Sequence, residues 1–299
     1  GRRIISLFIG GGTPSLFSAA ALGRLLAALQ ARLHFSSGIE ITLEANPGTA
    51  EAGKFRDYRR LGINRLSIGI QSFDDGKLGA LGRIHDRREA LQAIAMAKQA
   101  GFENINLDLM FGLPGQTIDA AISDLQMAID HAPGHISWYQ LTIEPNTVFY
   151  ARPPELPDED RLWDMQQQGQ SLLAEHGYRQ YEISAYARGN HRCVHNLNYW
   201  QFGDYLGLGA GAHGKLTDFS IATVQRYVRH RLPEHYLQNA GSEGVLTETR
   251  NLGRGDIVLE FMMNALRLCE GIHPALFSER PGLPIQVAAS CARLLMQRC

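Results

Sequence analysis

A chain of 299 residues, 44% hydrophobic and 20% charged, is long enough for one α/β unit of ~200–250 residues plus a smaller module, and its composition excludes intrinsic disorder. Its 29 basic and 30 acidic residues leave a net charge of -1, so no overall field draws it to nucleic acid or to an anionic membrane. No apolar run approaches the ~20 residues of a membrane span, and the start lacks a signal-peptide pattern. The expectation is a cytoplasmic protein.

Taken in chain order, apolar runs alternate with segments of helical period, the pattern of a parallel sheet with helical crossovers. The predicted strands are Ile4–Ile9, Glu40–Ala45, Arg65–Ile70, Asn104–Met110 and His135–Thr142. Predicted helices lie near Ser18–Leu33, Ala50–Leu61, Asp86–Ala100 and Thr117–His131. Ser18 and Thr117 suit N-caps, and Gly62 and Gly101 suit left-handed helix ends. An open doubly wound sheet and a barrel both fit this periodicity, and both bind ligands at the carboxyl ends of the strands.

After Pro153 and Pro154 the character changes. A helix is predicted over Asp158–His176, then an exposed, alternating strand over Tyr181–Tyr186, then a loop with His191, Cys193 and His195. A glycine-rich run spans Gly203–Gly214. Helices are predicted near Thr223–Gln238, Gly255–Leu268 and Leu283–Gln297. The resulting division is 1–150, 151–220 and 221–299. The four cysteines, Cys193, Cys269, Cys291 and Cys299, never take the close spacing of a metal or redox motif and read as reduced thiols.

Gly10-Gly11-Gly12-Thr13-Pro14 follows the first strand, where bare backbone N–H groups can approach a ligand. It is no Walker A loop, since no Gly-Lys-Ser/Thr follows. Glu44 closes the second strand, Gln71 follows the third, Arg83 lies beyond it and Asp108 lies in the fourth. Polar groups so placed converge on one mouth of a barrel.

These residues stand in the phrases Phe8-Ile9-Gly10-Gly11-Gly12-Thr13-Pro14-Ser15, Glu44-Ala45-Asn46-Pro47, Gly69-Ile70-Gln71-Ser72-Phe73 and Asn106-Leu107-Asp108-Leu109-Met110-Phe111-Gly112-Leu113-Pro114. Together they resemble the radical S-adenosylmethionine proteins of the oxygen-independent coproporphyrinogen III oxidase group. The resemblance implies a partial (β/α)6 TIM-like barrel with a small, mainly helical C-terminal module. It also implies S-adenosylmethionine contacts at Gly11, Gly12, Thr13, Glu44, Gln71, Arg83, Asp108 and Thr142. In that group a Cys-x3-Cys-x2-Cys loop after a first strand holds a 4Fe-4S cluster. The expectation is that this strand and loop lie upstream of Gly1, that the C-terminal module is truncated, and that the chain alone does not cleave S-adenosylmethionine reductively.

His195-Asn196-Leu197-Asn198-Tyr199-Trp200 matches the HNxxYW phrase of the haem-chaperone branch, the HemW type. That likeness implies haem contacts at His195, Asn196, Tyr199 and Trp200, with His195 on the iron. The partners it implies are haem and haem-accepting apoproteins such as respiratory-chain subunits, with membrane contact only through them. Radical decarboxylation of coproporphyrinogen is the alternative, and an inactive binding remnant a third reading; whether the chain is an enzyme stays open.

Overall fold

The computed structural model describes residues 2–49, 52–221 and 223–287. It divides into two compact units, Gly1–His195 and Asn196–Cys299.

The first unit is a βα succession. In chain order it runs β1 (Ile4–Ile9), α1 (Ala19–Gln30), β2 (Phe35–Ala45), α2 (Ala52–Arg60), β3 (Arg65–Gln71), α3 (Asp75–Ala80), α4 (Arg87–Gln99), β4 (Asn104–Phe111), α5 (Ile118–Asp130), β5 (His135–Gln140), α6 (Val148–Ala151), α7 (Glu159–Glu175), β6 (Arg179–Glu182) and β7 (Ala185–Ala187). The sheet order is β1-β2-β3-β4-β5-β7-β6. Strands β1 to β5 are parallel, and β7 joins β5 antiparallel.

The helices start where the sequence places side-chain caps. The Ser18 and Thr117 hydroxyls accept the N–H groups of Ala21 and Ala120, and Asp86 forms a capping box with Glu89 on α4. Gly62 and Gly101 take left-handed conformations at φ 96 and φ 84, ending α2 and α4.

Strand alternation sets the two faces of this sheet. Leu43, Leu66, Ile68, Leu107 and Ile136 point outward into a core with Phe55 and Tyr58 of α2, Ala93 and Ala97 of α4 and Leu125 of α5. Trp138 joins it, its ring 4.4 Å from that of Phe111. A Cβ on Gly169 would meet the Trp138 ring at 2.0 Å, so only glycine lets α7 lie that close. The opposite face carries Glu40, Thr42, Arg65, Ser67, Gln71, Asn106 and His135, all polar and all buried.

Three expectations are corrected. The segment expected as one exposed strand over Tyr181–Tyr186 is a hairpin, β6 and β7 flanking Ile183-Ser184, with Tyr181 and Tyr186 buried; both rings find apolar or polar partners inside the unit. The strand expected to reach Thr142 ends at Gln140. Residues expected to begin a helix at Thr223 form a strand, because Thr223, Val224, Tyr227 and Val228 are β-branched or aromatic and pair with strands on both sides.

The second unit has α8 (Val194–Trp200), which opens one residue pair before the division, then β8 (His213–Asp218), β9 (Thr223–Arg229), α9 (Pro233–Asn239), β10 (Leu246–Asn251), α10 (Arg254–Ala265) and α11 (Ala275–Glu279). Its antiparallel sheet has the order β10-β9-β8. Phe202, Val224, Phe261 and Phe277 form its core. The glycine-rich run is needed there for close packing: a Cβ on Gly214 would meet the Tyr227 ring at 1.9 Å. Buried Lys215 bonds Asp204 at 2.8 Å and lies 4.0 Å from the centre of the Phe202 ring. Of the helix expected over Leu283–Gln297, everything past Val287 lies outside the described residues.

Candidate functional site

Parallel strands β1 to β5 deliver their carboxyl ends to one edge of the sheet, and the polar residues gather there. Gly11 and Gly12 follow β1 at φ 83 and φ 58, where a side chain would be strained. Nothing lies within 4 Å of where either Cβ would stand. The Gly11 N–H donates to Glu44 Oε2 at 2.9 Å. A Cβ on Gly10 would meet that carboxyl at 2.9 Å, so glycine also makes room for Glu44. Burial raises the Glu44 pKa, and nearby Asp108 adds to the rise, against the pull of the Gly11 N–H. Asn46 donates to Thr13 Oγ1 at 3.4 Å, tying the first two strand ends together.

Gln71 is buried at the end of β3 and, unusually for a side-chain-bearing residue, takes φ 69. Two bonds hold the turn after it: Asp124 of α5 accepts the Ser72 hydroxyl and the Phe73 N–H, each at 2.7 Å. Gln71 Oε1 in turn accepts the Tyr139 hydroxyl at 2.9 Å. Asp108 sits deeper, its Oδ2 accepting from Ser67 at 2.9 Å and its Oδ1 from Asn106 Nδ2 at 2.9 Å. Burial raises its pKa in spite of those bonds.

Tyr139 marks the centre of this cluster. Its pKa is pushed up to about 12, first by burial and next by Asp108, with Glu44 raising it further and Arg83 and the Gln71 bond opposing. Arg83 is exposed on the loop between α3 and α4. The structure thus brings Gly11, Gly12, Thr13, Glu44, Gln71, Arg83 and Asp108 to one mouth. Thr142 is exposed two residues beyond the end of β5 and its hydroxyl donates to Glu144 at 3.3 Å.

Tyr139, Asn46, Ser67, Asn106 and His135 were not singled out in the sequence. The signal was there: in Asn104-Ile105-Asn106-Leu107-Asp108-Leu109 and Arg65-Leu66-Ser67-Ile68 every second residue is polar inside an otherwise apolar strand. Alternation of that kind marks a strand with one polar face.

The HNxxYW segment is divided between the units. His195 belongs to the first, its ring stacked 4.5 Å from that of Phe8 at an interplanar angle of 21° and its backbone N–H donating to Glu40 Oε1 at 3.2 Å. Burial lowers its pKa to about 4, so the imidazole is neutral at neutral pH. Asn196, half-buried, Tyr199 and Trp200 belong to the second unit. The Tyr199 ring lies 4.4 Å from that of Tyr205, and the Arg267 guanidinium lies 4.2 Å from the Trp200 ring centre. The indole N–H of Trp200 is buried with no hydrogen-bond partner among the described residues.

Two further features bear on ligands. Cys193 is buried and Cys269 exposed. Among the described residues no group of three His, Cys, Asp or Glu side chains is arranged to hold a metal ion, and no helix is long and apolar enough to cross a membrane.

Comparison with known proteins gives this geometry a family. Residues 1–128 match the radical SAM superfamily. The chain is 52% identical over 282 residues to "Heme chaperone HemW" of Haemophilus influenzae, covering 94% of this chain and 72% of the relative. It is 50% identical over 283 residues to the protein of the same name in Escherichia coli, covering 95% and 74%. Among solved structures, coproporphyrinogen III oxidase (HemN) from Escherichia coli superposes with a TM-score of 0.78 at 23% identity, over 94% of this chain and 67% of that one. The expected fold is therefore present, as a curled, mainly parallel half-barrel. With half its residues identical to two of these relatives across nearly its whole length, the chain belongs to the HemW family of radical SAM proteins.

Proposed function

We infer that this protein is a haem chaperone, which binds haem and passes it to apoproteins that need it, on a scaffold that also binds S-adenosylmethionine. The observation carrying this reading is 52% identity, over 94% of the chain, to a protein named for haem chaperoning. The likeness to coproporphyrinogen III oxidase, at 23% identity, concerns the fold that both activities share and does not favour decarboxylation.

The residues at the strand ends fit S-adenosylmethionine chemically. Gly11 and Gly12 keep left-handed backbone with open space on the side where a Cβ would stand, and the same strand ends carry two carboxylates and one amide, with one guanidinium on the loop after α3. In this reading Glu44 and the glycine edge take the methionine ammonium or a ribose hydroxyl, Arg83 takes the methionine carboxylate, and Gln71 and Asp108 take ribose hydroxyls. Tyr139 orients the Gln71 amide through the bond to its Oε1. The 4Fe-4S cluster of the superfamily is different: no cysteine precedes Cys193, so the thiolates for it are not among these residues and no step is assigned to it.

Haem is the cargo. A neutral imidazole is the form that ligates iron, and burial keeps His195 in that form. In the same phrase of the sequence Asn196 offers a hydrogen-bonding amide, and Tyr199 and Trp200 offer flat rings of the kind that pack on a porphyrin face. Acceptors such as respiratory-chain subunits, met from the cytoplasmic side, complete the proposal.

The test is a titration of the 299-residue chain with hemin, followed by its Soret band, then mixing with a haem-free acceptor. Stoichiometric binding, loss of the band's shift in His195→Ala, and passage of haem to the acceptor are expected. Coproporphyrinogen decarboxylation by a cluster-loaded longer chain that retains no haem would overturn the reading.

A further inference from the structure

Beneath the mouth, a line of buried hydrogen bonds leads from Asp108 to the segment that carries His195, and each bond has a fixed direction. Asn106 Oδ1 lies 2.6 Å from His135 Nδ1 and accepts the Ser137 hydroxyl at 3.0 Å. The Asn106 amide nitrogen therefore faces the other way, to Ser67 Oγ at 2.7 Å and Asp108 Oδ1 at 2.9 Å. Because a carbonyl oxygen only accepts, the His135 proton is on Nδ1. That leaves Nε2 as an acceptor for the Tyr181 hydroxyl at 2.9 Å. Tyr181 in turn accepts the Cys193 N–H at 3.2 Å. His135 is almost wholly enclosed, and burial holds its pKa well below the usual value, which keeps this single tautomer in place.

We propose that His135 and Tyr181 are positioning residues for the nucleotide site: they fix the Asn106 amide, which with Ser67 aims the Asp108 carboxylate. The proposal rests on the reading of Asp108 as an S-adenosylmethionine contact. Neither His135 nor Tyr181 reaches the strand ends; their effect passes through Asn106. Moving the His135 proton to Nε2 sets its Nδ1 acceptor against the Asn106 oxygen, and turning the Asn106 amide sets its oxygen against the Asp108 carboxylate, so the line holds its direction as a unit.

The experiment is a double-mutant cycle read by calorimetric titration of the 299-residue chain with S-adenosylmethionine. Tyr181→Phe removes one hydroxyl and keeps the ring; His135→Gln keeps a polar side chain of different reach. Each is expected to weaken binding about three- to tenfold, the worth of one net hydrogen bond. In an Asp108→Asn background the same changes should have no further effect, because the group they aim is gone. A merely structural role would instead give equal effects in both backgrounds, or none in either, and would overturn the proposal. If Asp108→Asn itself leaves affinity unchanged, the contact assignment fails and the proposal with it. If His135→Gln does not fold, Tyr181→Phe decides alone.

Discussion

The two faces of strands β2 to β5 are made of alternate residues of the same strands and serve opposite ends. On the outer face Leu43, Leu66, Ile68, Leu107 and Ile136 are fully buried under helices, and their contribution is non-directional, proportional to the apolar area removed from water. On the inner face Thr42, Ser67, Asn106 and His135 are equally buried, yet polar groups gain little net stability from burial even when hydrogen-bonded. One face fixes the fold and the other spends stability on placing a few oxygens and nitrogens. Substitutions on the two faces should therefore separate folding from binding.

The largest effect is expected outside. Trp138→Ala would leave a cavity against Phe111 and Gly169 and cost about 3–5 kcal/mol in urea unfolding, while folded molecules keep their affinity for S-adenosylmethionine. Equal losses of affinity and stability would blur the distinction between the faces.

Next come two pH effects of opposite sign. Burial lowers the His195 pKa from 6.5 to about 4, so the unfolded chain takes up that proton first and stability falls as pH drops from about 6.5 to 4, by up to about 3 kcal/mol. Burial raises the Asp124 pKa from 3.8 to about 6. The folded chain holds that proton longer, and stability falls as pH rises from about 4 to 6, by about 3 kcal/mol. Chemical denaturation at a series of pH values should show His195→Ala losing the first slope and Asp124→Asn the second.

The smallest change in stability belongs to the inner face. Ser67→Ala removes one donor to Asp108 and should cost about 1 kcal/mol in unfolding, but weaken S-adenosylmethionine about tenfold by calorimetry. A substitution that lowers stability without touching affinity would remove Ser67 from the site.

Much of this was legible in sequence because the signals were local. Ser18 and Thr117 cap helices where their hydroxyl oxygens can reach free N–H groups, and Gly11 and Gly12 stand where the backbone is left-handed. Glu44, Gln71 and Asp108 were found through strand-end position. Tyr139 and His135 escaped because their importance depends on register between strands: Asp108 faces Ser137 and Asn106 faces His135 only once β4 and β5 are aligned. Thr223–Arg229 was misread because two β-branched valines and a tyrosine were set against a helical spacing that its sheet partners override. The 52% identity over 94% of the chain, rather than any bond in the fold, is what favours haem transfer over porphyrinogen oxidation.

The most direct test of the account is therefore haem itself. Hemin added to the 299-residue chain should give a shifted Soret band that saturates at one haem per chain, is lost in His195→Ala, and moves to a haem-free acceptor on mixing; a spectrum that stays that of free hemin at every ratio would contradict it.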